Sequence, residues 1–204
     1  MASSHSAHSQ DHLEPPNDFW TVFDLRFAAE ARDTLLKDFG WSSLARAISI
    51  PEDGDVWAVS LELQPDSTFL IRSAQARGNL GLGGVWSENG FERLRRASVT
   101  RASRPIDDRR AHTIRYTFFD AISSAHYPRT MRRMLHGSTI YFSALEWQLM
   151  PNRVSAQAFT PVDDKLPRRL AELAHALLQY GLADSTNAER MTTAIDSLLS
   201  RLGE

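Results

Sequence analysis

The sequence predicts an α+β protein: one curved, mostly antiparallel sheet of about six strands, with short N-terminal helices and a C-terminal helical pair. Three observations predict it. Successive segments either alternate in polarity or are apolar throughout, as strands do. The links between them are of hairpin length and carry Pro, Asp, Asn and Gly, which favours antiparallel neighbours over parallel crossovers. Residues 163–204, by contrast, space their leucines at helical intervals.

At 204 residues, 42% apolar and 24% charged, the chain has an ordinary globular composition and is long enough for one self-sufficient core. It divides into a leader, residues 1–17, and a single α+β domain over 18–204, in which 163–204 is the helical pair. The leader is polar, rich in Ser and His, and ends in Glu14-Pro15-Pro16, so it buries too little surface to order and is expected to be disordered.

From Phe19 to Phe27 apolar residues fall on both sides of an alternation, which reads as a strand. Ala28 to Phe39 reads as a helix ended by Gly40, and Ser42 or Ser43 is placed to cap a second short helix through Leu44, Ala47 and Ile48. Trp57, Val59, Leu61 and Leu63, set against Ala58, Ser60, Glu62 and Gln64, predict a half-buried strand. Pro65-Asp66-Ser67 turns it into a return strand opened by Phe69 and Ile71. Gly78 to Gly84 reads as a flexible loop, because it has neither dinucleotide-fingerprint spacing nor a following Gly-Lys-Ser/Thr. A weak strand around Ala97 to Thr100 is broken at Pro105, and Ile114, Tyr116 and Phe118 alternate as a strand over His112 to Asp120. Ser138 to Met150 is a long strand, apolar on both faces, and Pro151-Asn152 turns it into a last strand, Val154 to Thr160. Asp163 or Asp164 then caps a helix built on Leu166, Leu170, Leu173, Leu177 and Leu178, with Pro167 in its first turn and Gly181 as its stop. Thr186 with Glu189 forms the capping box of a final helix through Met191, Ile195, Leu198 and Leu202.

The near-neutral net charge of −2 hides a contrast. The segment from Arg93 to Arg133 carries 11 arginines against three aspartates, a net +8, and the remainder carries −10. Within it, Pro128 and Gly137 bracket a short helix that would place Arg129, Arg132, Arg133 and His136 on one face and Met131, Met134 and Leu135 on the other. A cationic ridge on an apolar footing suits an anionic ligand or an acidic protein partner. No helix-turn-helix, zinc-finger or RNP pattern accompanies it, which disfavours nucleic acid.

Catalytic signatures are missing from the pattern. Absence of cysteine excludes thiol nucleophiles and thiolate metal sites, no Gly-x-Ser-x-Gly elbow is present, and no His/Asp/Glu cluster in the folded region has metal-ligand spacing. Asp107-Asp108 reads as an ion-paired turn; His126 and His175 have no readable partner; Glu146 reads as a rim residue of its strand. With no signal peptide and no apolar run long enough to span a bilayer, the expectation is a cytoplasmic protein without cofactor or metal. The function expected is binding or adaptor work through the arginine-rich surface centred on Arg129, Arg132, Arg133 and His136, without catalysis, with self-association through the C-terminal helices.

In element order, over about Phe19 to Leu182, the chain also resembles the helix-grip layout of the START and Bet v 1-like superfamily; Lys165-Leu166-Pro167 is similar to the start of the long helix in some members. The extra helix after Gly181 departs from that pattern. The resemblance implies a cavity between the sheet and the helix of Leu166 to Leu182, holding an apolar small molecule, with cyclase- or hydrolase-like chemistry for which Glu146 and His126 would be tested first. That is the alternative function.

Overall fold

A computed structural model of the chain describes residues 13, 33–37, 39, 43–51, 54–78, 96–126, 139–147, 151–159 and 165–203. Among them six strands form one open antiparallel sheet: β1 (Ser43–Ile50), β2 (Val56–Leu63), β3 (Phe69–Ala76), β4 (Val99–Ile106), β5 (Thr139–Trp147) and β6 (Pro151–Phe159), in the order β4-β3-β2-β1-β5-β6. Among the described residues there are also three helices, α1 (Asp108–Ser123), α2 (Leu166–Leu182) and α3 (Ser185–Leu202), and a helical turn lies at residues 33–36. Strands β1 to β4 form a meander. Helix α1 then leads from the β4 edge to β5, on the far side of β1.

All three helices lie on one face of the sheet. Helix α2 packs on β2, β3 and β4, α1 packs on β5, β1 and β6, and α3 lies against both helices. The main core fills this interface, with Leu170, Leu173 and Leu177 of α2 over Val59, Leu61 and Ile71, and Ile114 and Phe118 of α1 over Ala47, Phe142 and Ala156. Small residues in β1, β5 and β6 leave room for α1, whose Phe118 ring meets Phe142 edge-on at 6.0 Å. Leu13, within the stretch expected to be a leader, is fully buried in this core, and its carbonyl accepts a hydrogen bond from the His126 backbone N–H. A smaller core covers one end of the opposite face, where Leu35 of the helical turn packs on Ile50, Val56, Ala58, Ala74 and Ala76. We call that opposite side the second face.

The α+β class, the six antiparallel strands, the β2–β3 hairpin and the C-terminal helical pair are as predicted. Several local expectations are corrected. Residues 43–50 form a strand and not a short helix, because this segment pairs with both β2 and β5 and is covered on both sides, which overrides a local 3-4 spacing of Leu44, Ala47 and Ile48. Strand β2 is buried along both faces instead of one. Strand β4 runs through Pro105, which is tolerated because β4 is an edge. Residues 108–123 form a helix, not a strand: Ala111, Ile114, Phe118, Ala121 and Ile122 share its buried side, and Asp107 caps it by accepting from the Arg110 N–H. Tyr116, expected to share a strand face with Ile114 and Phe118, is 58% exposed.

At the helical pair, the N-cap of α2 is Lys165 and that of α3 is Asp184, whose carboxylate accepts from the Asn187 N–H, in place of the Thr186 box. Gly181 is a buried residue inside α2 and does not end it. The uninterrupted strand run of the helix-grip layout is also broken, since α1 stands between β4 and β5. The strand expected at Phe19 to Phe27 and the ridge of Arg129, Arg132, Arg133 and His136 lie outside the described residues, as do Asp163 and Asp164, whose expected capping position is taken by Lys165.

Candidate functional site

The strand register places one residue from each strand in a single row across the second face: Ser103 (β4), Arg72 (β3), Ser60 (β2), Arg46 (β1), Ser143 (β5) and Ser155 (β6). No side chain in this row is apolar. Directly opposed side chains on one face stand about 5 Å apart at Cβ, so the row is a continuous polar belt between the apolar end covered by Leu35 and the β2–β3 turn.

Charges flank the belt. Glu62, two residues beyond Ser60 and only 2% exposed, accepts from Arg72 Nε at 2.6 Å and from Ser60 Oγ at 2.9 Å. Arg153 on β6 reaches inward across β5, donating to Ser143 Oγ at 3.2 Å and to the Ser43 carbonyl at 3.1 Å. That carbonyl belongs to a register shift in β1 between Ser43 and Ala45, which breaks the ladder locally and turns backbone toward the guanidinium. Arg46 lies between these groups, with its guanidinium 5.8 Å from the Phe39 ring centre. Burial, and then the like charge of Arg153, push Arg46 down to about 10 against the opposing pull of Glu62; burial alone lowers Arg153. Arg46 therefore stays protonated at neutral pH, and the two cations are held together on a partly desolvated surface.

One register step beyond Ser155, Gln157 stands on the same face opposite Tyr141. It is fully buried, and neither its Nε2 nor its Oε1 makes a hydrogen bond. Tyr141, its register partner on β5, also has a buried hydroxyl. Ser155 and Arg153 of the edge strand β6 are exposed, whereas Gln157 further along the same strand and Ser60 and Glu62 on the inner strand β2 are buried. Nothing in the one-dimensional pattern singles out these residues. Each is one polar position in its own strand, and only the pairing register aligns them.

A concavity of about 520 Å³ opens elsewhere, between α1 and α3, lined by Asp107, Arg109, Arg110, Thr113, Asp196 and Leu199. Its charges are mutually satisfied. Arg110 donates to both Asp196 oxygens at 2.7 Å and to Asp107 at 2.5 Å, and these bonds raise Arg110 while lowering Asp196. This arrangement is a clasp between two helices, in line with the ion-paired turn expected at Asp107-Asp108.

The remaining sequence candidates are dispersed. His126 is exposed, with its ring Nδ1 3.1 Å from the Ser124 carbonyl oxygen. His175 is exposed on α2 with its ring edge-on to Trp57 at 6.0 Å. The Glu146 side chain lies outside the described residues, although its backbone pairs with Asn152. Among the described residues no group of three or more His, Asp or Glu could hold a metal ion, and no helix is long and apolar enough to cross a membrane. No protein-family model, curated protein or solved structure matches the chain.

Proposed function

We propose that this chain is a non-enzymatic binding protein that takes an anionic ligand on the second face of its sheet, with Arg46 and Arg153 as its cationic anchors and Ser143 as a neighbouring hydroxyl. The observation that carries the reading is the apposition of Arg46 and Arg153 along a row of serines. An anion seated at Ser143, which Arg153 already reaches and which pairs with Arg46, would add charge-assisted contacts from both guanidiniums. The ridge of Arg129, Arg132, Arg133 and His136 extends the same reading to an acidic protein partner.

Binding is favoured over catalysis because the described carboxylates near basic groups are engaged. Glu62 is bonded to Arg72 and Ser60, and Asp107 and Asp196 are bonded to Arg110. A carboxylate engaged in this way is a poor general base.

The test is ligand-linked stability. Wild-type protein titrated with sodium acetate, against sodium chloride at equal ionic strength, is expected to gain unfolding temperature, since a ligand at 100 times its Kd adds about 2.7 kcal/mol. The Arg46→Met/Arg153→Met double variant is expected to lose the acetate-specific gain. An equal gain in both proteins would refute the assignment.

A further inference from the structure

We infer that Gln157 is the specificity-determining residue of this anion site and that its ligand is a small carboxylate bearing an amide. The inference rests on the proposed function and deepens it. Gln157 is wholly buried, yet its amide nitrogen and oxygen both lack a hydrogen-bond partner. Leaving an amide desolvated and unbonded costs free energy that a leucine of similar shape would not, so a glutamine at this position requires a partner outside the chain's own hydrogen bonds.

Placement says which partner. Gln157 lies on the face that carries Arg46, two strands across and two residues along, because Arg46 pairs with Ser143, Ser143 with Ser155, and Gln157 follows on the same side of β6. The two Cα atoms are then about 12 Å apart by strand spacing and rise. That separation is on the scale of a small molecule. At one end guanidinium groups can only donate, which selects an anion. At the other the Gln157 amide offers one acceptor and two donors, which selects a neutral group that both donates and accepts. A carboxylate and an amide joined by a short spacer, as in an N-acyl amino acid, meet both demands. The exposed Ser155 and Arg153 at the β6 edge mark the side from which it enters.

The experiment compares wild type, Gln157→Leu and Arg46→Met, titrated calorimetrically with N-acetylglycine and with acetate. In wild type N-acetylglycine is expected to bind about 10-fold more tightly than acetate, the size of one net hydrogen bond. In Gln157→Leu the ratio is expected to fall to near one, and Arg46→Met should weaken both ligands. Ligand-free Gln157→Leu is expected to unfold at or above the wild-type temperature, because it removes an unbonded amide. Equal wild-type affinity for the two ligands, or a ratio kept in Gln157→Leu, would overturn the role of Gln157 while leaving the anion site standing. Binding of neither ligand would remove the anion site and this inference with it. A Gln157→Leu protein less stable without ligand would show that internal water already satisfies the amide, and the inference would fail.

Discussion

Gly181 sets how closely α2 approaches the sheet. A Cβ built there would lie 2.1 Å from Ser73 Oγ and 2.9 Å from Ser73 Cβ, far inside contact distance. Alanine at this position gains helix propensity of about 1 kcal/mol but must push helix and strand apart, an overpacking cost of about 1–3 kcal/mol. Gly181→Ala is therefore expected to be destabilising by up to about 2 kcal/mol in urea unfolding. Ser73 Oγ is buried without a hydrogen bond, so Ser73→Ala alone should be neutral or slightly stabilising. The double variant should lose less than the sum of the two, since the changes share one contact. Gly181 is therefore a packing residue within α2 and not the helix stop that its place in the sequence suggests. A glycine near a helix end is ordinarily a stop signal, and the strand residue that needs its missing side chain is remote in the chain.

Among the elements, β4 and α2 are joined by a clamp built from Arg104 and Tyr180. Arg104 donates to the carbonyls of Tyr180 and Ala183 at the end of α2, lies 5.6 Å from the Tyr180 ring centre, and Tyr180 donates its hydroxyl to the Pro105 carbonyl at 2.6 Å. A guanidinium at a helix C-terminus meets both the unpaired carbonyls and the negative end of the dipole. Arg104→Met is expected to cost about 1–3 kcal/mol in thermal unfolding and to speed amide exchange in the last turn of α2. Arg104→Lys should recover only part, because an ammonium cannot fork between two carbonyls on this geometry. The strand nature of β4 was faintly legible in the sequence, whereas its role as a strut was not. The helical nature of α1 was masked by Ile114, Tyr116 and Phe118, whose alternation mimics a strand although the residues fall on different sides of a helix.

For the molecule as a whole, three arginines of the arginine-rich stretch act as ties between elements. Arg101 donates to the Thr34 carbonyl, tying β4 to the helical turn on the second face, and Arg104 ties β4 to α2. Arg110 ties α1 to α3. The last of these couples stability to pH. Hydrogen bonds from Arg110 hold Asp196 below the usual carboxylate range. Asp107 is raised by burial, but the backbone and side-chain bonds from Arg110, with its charge, bring it below that range on balance. Carboxylates lowered on folding contribute stability above their ordinary pKa of about 4 and lose it as pH falls through their folded values. Stability is thus expected to decline below about pH 4, and Asp196→Asn should flatten that decline. The effect should stay below about 1 kcal/mol, because both carboxylates are half exposed and solvent screens the pair. Urea titrations across pH 5 to about 2 measure it.

Polarity patterns and turn residues were enough to read the class, the β2–β3 hairpin, β5 and the two C-terminal helices, since each is specified by neighbours within a few turns or one hairpin. Leu170, Leu173 and Leu177 announce a buried helix face wherever that helix docks. Pairing across the sheet followed different information. Strand β1 became a strand because β2 and β5 flank it, and a buried central strand has no alternation to betray it. The belt of Ser103, Arg72, Ser60, Arg46, Ser143 and Ser155 exists for the same reason. Its members come from six separate segments, and hydrogen-bond register across five strand pairs is what sets their side chains in one line.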